Sequence, residues 1–217
     1  DLFVDWCRKA GCSVSVDHMG SIFARRPGTD ASLPPVMVGS HLDTQPTGGK
    51  FDGALGVMAA LEVVRSLNDL DIKTRHPVEI AMWTNEEGSR FAPAMVASGV
   101  FAGVFEEAYG LSRVDAEGKA IGAELARIGY AGAAPVGGRS VKAFFELHIE
   151  QGPILEEAAI DIGVVTHANG QRWYEIVLTG VESHAGPTPM SRRKDEVLGA
   201  ARIVELVYSI GLAHEPA

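Results

Sequence analysis

Four short segments carry side chains whose types and spacing suit metal-assisted hydrolysis. In Gly39-Ser40-His41-Leu42-Asp43-Thr44 an imidazole is followed two residues on by a carboxylate. That pairing lets a carboxylate fix the ring of a metal-bound His; a His in a surface turn is the bland alternative. Asp52, in Phe51-Asp52-Gly53, suits a helix N-cap as readily as a ligand. Glu86 and Glu87 are adjacent in Thr84-Asn85-Glu86-Glu87-Gly88. Neighbouring carboxylates at a strand end point in different directions, so one can bind metal while the other moves a proton, although a solvated acidic turn is commoner. In Glu146-Leu147-His148-Ile149-Glu150-Gln151-Gly152, strand alternation would put Glu146, His148 and Glu150 on one face, which is costly to bury without a metal or paired partners. Two His and three or more carboxylates from separate loops suit two zinc ions bridged by one carboxylate, with a water activated between them.

The segments fall where strands should end, and open α/β sheets bind ligands outside the carboxyl ends of their strands. Ser13 to Asp17 and Ile22 to Arg26 flank His18-Met19-Gly20 as a hairpin. Val36 to Gly39, after Pro34-Pro35, is a short apolar run suited to a buried parallel strand. Ala54 to Leu67 predicts a helix, with Leu55, Met58, Leu61 and Val64 spaced along one face. Val78 to Trp83 predicts a strand, Lys119 to Ile128 a helix, and Phe144 to Ile149 and Asp161 to Thr166 two further strands. This order implies an α/β fold with a mostly parallel sheet flanked by helices. Near Asn169-Gly170 the character changes. Arg172 to Thr179 alternates as a half-exposed strand, and Lys194 to Leu212 is strongly helical, with Val197, Ala201, Val204 and Tyr208 on one face. Residues 1–169 are therefore read as one domain and residues 170–217 as the start of a small α+β domain, too little to close a core of its own.

The 28 Asp and Glu outnumber the 19 Lys and Arg, a formal charge of −9. That balance argues against nucleic acid or an anionic membrane as the partner. No apolar run reaches the roughly 18 residues of a membrane helix. Cys7 and Cys12 are the only cysteines, too few for a disulfide framework or a thiolate zinc site. Asp1-Leu2-Phe3-Val4-Asp5 lacks the basic stretch of a signal peptide, so the expectation is a reduced, cytoplasmic protein.

Five motifs occur in a telling order: Gly39 to Thr44, Gly49 to Val57, Asn85 to Phe91, Glu146 to Pro153, and Ser183-His184-Ala185-Gly186-Pro187-Thr188-Pro189-Met190. They resemble those of the N-carbamoyl-L-amino acid hydrolases, with β-ureidopropionase and allantoate amidohydrolase as close relatives in the di-zinc aminoacylase and carboxypeptidase superfamily. The resemblance runs from Phe3 to Asp195. It implies a di-zinc peptidase-like catalytic domain joined to a lid and dimerisation domain, and two divalent metal ions, zinc first, with Mn, Co or Ni as alternatives. His41 and His148 would hold one ion, Asp52 would bridge, and Glu87 would belong to the second. Glu86 would be the general base and Asp43 would orient His41. Gln151 would contact the substrate. His184 would bind substrate and stabilise the oxyanion, reaching the partner subunit's site in a homodimer. The implied substrate is an N-carbamoyl-L-amino acid or related ureido acid, cleaved at its carbamoyl C–N bond.

Two family features are missing from the sequence. The family's catalytic domain resumes after the lid with a further His for the second ion, and its lid carries Asn and Arg residues that grip the substrate carboxylate. The chain ends at Ala217 without these, and it starts without the family's first helices, so it reads as part of an enzyme subunit. The alternatives are a peptidase or aminoacylase of the same superfamily, against which the His148 segment argues, and a truncated, non-catalytic module with a partial metal site.

Overall fold

The computed structural model describes residues 1–170, 172 and 174–214. Its elements run α1 (Leu2–Lys9), β1 (Ser13–Val16), β2 (Ile22–Arg26), β3 (Val36–His41), α2 (Ala54–Asp69), β4 (Val78–Trp83), α3 (Val96–Phe101), α4 (Glu107–Leu111), α5 (Ile121–Ile128), β5 (Ala143–Phe145), α6 (Ile154–Glu157) and α7 (Glu196–Ala213). The chain separates into two compact units, Asp1–Pro153 and Ile154–Ala217; the compositional change at Asn169-Gly170 lies inside the second.

In the first unit the strands form one mixed sheet in the order β1-β2-β4-β3-β5. The β1–β2 and β2–β4 pairs are antiparallel, whereas β3 pairs in parallel with both β4 and β5. Four strands therefore share one direction and β2 runs against them. β4 is buried at every residue except Met82, as a strand covered on both faces must be. On one face Ile22, Ala24, Val78 and Ile80 pack with Phe3, Val4 and Cys7 of α1 and Val57, Ala60, Leu61 and Val64 of α2. The helical pairs sit three and four residues apart, which makes one apolar stripe on each helix. On the other face Phe23, Met37, Ala81 and Trp83 pack with Phe101 and Val141. Glu79 lies on that second face, with Oε1 2.6 Å from Arg139 Nη2. It is an ion-pair contact without the alignment of a hydrogen bond, and Arg139 also stacks over Phe23 at 4.7 Å. A third cluster joins Met19, in the β1–β2 turn, to α3 and α5 through Val96, Val100, Ile121 and Leu125.

The parallel β3–β4 register sets up the site. Val36 stands opposite Val78 and His41 opposite Trp83, so both strands end level and their following loops emerge side by side.

Several expected elements are shorter or absent. The strand expected over Phe144 to Ile149 ends at Phe145, because β5 is an edge strand that pairs only Val36 to Val38 of β3. Asp161 to Thr166 forms no strand, and Ile162, Val164 and Val165 are exposed there. A β-rich run without a neighbouring strand cannot satisfy its backbone groups. Of the strand expected over Arg172 to Thr179, Trp173 lies outside the described residues and the others form no strand. In the second unit α7 matches the expected helix, begins at an Asp195 cap whose Oδ1 accepts the Leu198 N–H at 2.9 Å, and leaves Val197, Val204 and Tyr208 exposed. No helix among the described residues is long and apolar enough to cross a membrane.

One buried carboxyl makes the hairpin sensitive to pH. Asp17 is fully buried beside the β1–β2 turn; Oδ1 accepts the Ser21 N–H at 2.8 Å, while Oδ2 has no partner. Burial pushes its pKa up to about 6, against the lowering pull of the Ser21 and Met19 N–H groups. The folded protein thus holds a proton that the unfolded chain, with Asp17 at 3.8, has already released. Stability is fullest below that value and falls as pH rises through 6, by on the order of 3 kcal/mol. Asp17→Asn keeps the Ser21 acceptor and should remove this loss. The loss in urea-unfolding midpoint between pH 4 and pH 7 should be smaller in the variant than in the parent.

Candidate metal centre and catalytic site

His41 is the last residue of β3 and is 1% exposed. Its Nδ1 lies 2.8 Å from the main-chain carbonyl of Asp43. A carbonyl can only accept, so Nδ1 carries the proton and the Nε2 lone pair is left free. Nε2 faces Asp52 Oδ1 at 3.8 Å and Glu86 Oε2 at 3.6 Å. His148 repeats the arrangement: Nδ1 donates to the Ile149 carbonyl at 2.7 Å, and Nε2 lies 3.2 Å from Asp52 Oδ1.

Asp52 reaches this point because the next residue is Gly53. Gly53 adopts φ +64, and a Cβ there would stand 2.5 Å from the His41 ring; both facts require glycine. The second carboxylate oxygen of Asp52 accepts Gln151 Nε2 at 2.6 Å, and Gln151 itself holds a left-handed φ of 56°. One ligand atom each from His41, Asp52 and His148 lie within 4.8 Å of one another. Two imidazole nitrogens, each with its proton committed elsewhere, converge with an anionic oxygen. Three acceptors at one point, with no donor among them, suit a divalent cation of the nitrogen- and oxygen-binding kind.

The second loop is bound to the first by the Asp43 carboxylate. Its Oδ1 accepts the Glu86 N–H at 3.1 Å and its Oδ2 the Glu87 N–H at 3.0 Å, while Oδ1 stands 3.7 Å from His41 Nδ1. Asn85 shapes the turn with a left-handed φ of 54°, and its buried amide donates to the Phe91 carbonyl at 2.8 Å. Glu86 is half-buried beside His41. Burial raises its carboxyl above the usual range; His41 lowers it, and Glu87, Asp43 and Glu146 raise it further. Glu87 is outside the three-residue cluster: Oε2 accepts Gln45 Nε2 at 2.8 Å, and Oε1 is buried without a partner.

Glu146 accepts the Ser40 hydroxyl at 2.5 Å, so it and His148 turn to different partners after β5 ends. His184, in the second unit, is exposed, and its Nδ1 accepts the Gly186 N–H at 3.0 Å. Sequence reasoning passed over Gln45 and Ser40. Both stand inside the first motif blocks, but neither an amide nor a hydroxyl announces itself as a ligand.

A profile of peptidase family M20/M25/M40 matches residues 37–216. The chain is 57% identical over 215 residues to the N-carbamoyl-L-amino-acid amidohydrolase of Rhizobium meliloti, covering 99% of this chain and 52% of that protein. It is 37% identical over 196 residues to the allantoate amidohydrolase of Bacillus subtilis, covering 89% and 48%. The crystal structure of an amidase of the hydantoinase/carbamoylase family from Burkholderia multivorans matches with a TM-score of 0.91 and 66% identity, over 100% of this chain and 53% of that one. The chain thus spans about half the length of the curated relatives it matches.

Asp43→Ala separates the two jobs of this residue. The main-chain carbonyl still holds His41, but the Glu86 and Glu87 N–H groups lose their acceptor. Hydrogen exchange at these two amides should rise at least about tenfold, while uptake of added zinc by the protein is retained. Loss of zinc with unchanged exchange would place the carboxylate's main role at His41.

Proposed function

The chain belongs to peptidase family M20/M25/M40, and from that premise we propose that it forms the metal-binding part of an amidohydrolase acting on N-carbamoyl-L-amino acids or related ureido acids. The observation that carries this reading is the convergence of His41 Nε2, His148 Nε2 and Asp52 Oδ1, with Glu86 Oε2 3.6 Å from the first of them. Relatives named for carbamoyl-amino acid and allantoate hydrolysis favour a ureido substrate over a peptide.

Two divalent cations are proposed, zinc first. His41 and His148 would hold one, Asp52 would serve both, and Glu87 would serve the second, its unpartnered Oε1 being the available ligand atom. Bound there, such ions polarise the scissile carbonyl and make water acidic enough to act as a nucleophile near neutral pH. The residues do the rest. Glu86 takes the proton of the attacking water and returns it to the leaving nitrogen as the C–N bond breaks. Its elevated carboxyl pKa suits both halves of that transfer, since a weak carboxylic acid is also a competent donor. Asp43 keeps Glu86 and Glu87 in place through their N–H groups, and Gln151, beside Asp52, would contact the ureido group. His184 is proposed to bind substrate and stabilise the oxyanion. The domain division at residues 169 and 170, a homodimer and a cytoplasmic location complete the proposal.

Glu86→Gln in the intact protein should keep its metal and lose on the order of 10² to 10⁴ in turnover of an N-carbamoyl-L-amino acid. Metal analysis beside a rate assay checks this, and full activity would remove Glu86 from its role. A parent enzyme that prefers dipeptides or N-acyl amino acids to carbamoyl substrates would move the reading to the peptidase or aminoacylase branch.

A further inference from the structure

Gln45 sits on the loop after β3, with its side chain on a carboxylate of the neighbouring loop. Its Nε2 donates to Glu87 Oε2 at 2.8 Å, while Glu87 Oε1 is buried with no hydrogen-bond partner. The two oxygens of one carboxylate are thus sharply different: one is held by an amide, and the other is desolvated with its lone pairs unspent. A buried acceptor in that condition is costly unless a cation or donor meets it. Glu87 is fixed from behind as well, because its N–H is held by Asp43 Oδ2 at 3.0 Å.

The backbone under Gln45 is also set. Gly48 N–H closes a turn on the Gln45 carbonyl at 3.0 Å. A Cβ at Gly48 would stand 2.6 Å from Thr44 Oγ1, so the Thr47-Gly48-Gly49 stretch lets the turn close under the amide. His41 and His148 show the same logic, each with one ring nitrogen pinned by a carbonyl and the other released.

We propose that Gln45 is a positioning residue for the second cation: its amide holds Glu87 Oε2 and so presents Glu87 Oε1 as a ligand. This rests on the two-cation reading above. Groups that hold a metal ligand in place are worth about 10- to 100-fold in metal affinity. Gln45→Met keeps the length of the side chain and removes the donor; Gln45→Lys restores a donor. Gln45 is exposed, so neither variant disturbs the core.

The test is a titration of the metal-stripped intact protein with Co²⁺, followed by its visible absorption. The parent should take up two equivalents. In Gln45→Met the weaker site should bind about 10- to 100-fold less tightly, with the tighter site and the melting temperature unchanged, and Gln45→Lys should recover part of the loss. Two equivalents with equal affinities in parent and Gln45→Met would overturn the role of Gln45 and leave the two-cation reading standing. Uptake of a single equivalent by the parent would overturn both.

Discussion

The site depends on one residue that joins two loops. β3 and β4 are parallel neighbours in register, so the segments following His41 and Trp83 leave the sheet side by side. Two adjacent acidic loops would part if nothing held them. Asp43 closes the gap with three acceptor atoms: its carbonyl takes the His41 Nδ1 proton, and its two carboxylate oxygens take the N–H groups of Glu86 and Glu87. Hydrogen bonds to an ionised carboxylate are stronger than neutral ones. The same contacts settle the tautomer of His41 and hold the main chain of both glutamates.

Around this tie the protein gathers charge of one sign. Asp43, Glu87 and Glu146 all raise the Glu86 carboxyl, and burial raises it more. Main-chain N–H groups, the Gln45 amide and the Ser40 hydroxyl each donate to an oxygen of this cluster, and the Gln151 amide donates to Asp52 beside it. Asn85 and Gln151, both with left-handed backbones, stand at its edges. Non-glycine residues in that region cost of order 1–3 kcal/mol and persist where the surroundings hold them. The sheet supplies that hold, through β4 buried on both faces between the α1 and α2 layer and the Trp83 cluster.

Much of this was legible in the sequence because strand ends and clustered imidazoles and carboxylates both leave strong marks. Val36, Val78 and the Ala54 helix appear where apolar spacing puts them, and His41, Asp52 and His148 meet as three residues from three segments. What left no mark was main-chain chemistry. Nothing in the residue types tells that a carbonyl, rather than the Asp43 carboxylate, holds His41 at 2.8 Å. Alternation after Phe144 suggested that Glu146, His148 and Glu150 share a strand face, yet β5 stops at Phe145, and His148 reaches Asp52 from a loop. α3, α4 and α6 escaped notice because they span 6, 5 and 4 residues, too short for periodicity to separate from loop; α1 was missed although it is as long as α5. The Asp161 to Thr166 run has strand composition, but a strand needs a neighbour to pair with.

The central claim is that His41, Asp52 and His148 hold one cation through the two imidazole Nε2 atoms. Anomalous diffraction at the zinc edge from zinc-loaded crystals of the intact protein tests it directly. The account predicts a peak about 2.0–2.1 Å from both Nε2 atoms with an Asp52 oxygen completing the contact. A strongest peak bound away from these residues, or bound through Nδ1 of either His, would contradict it.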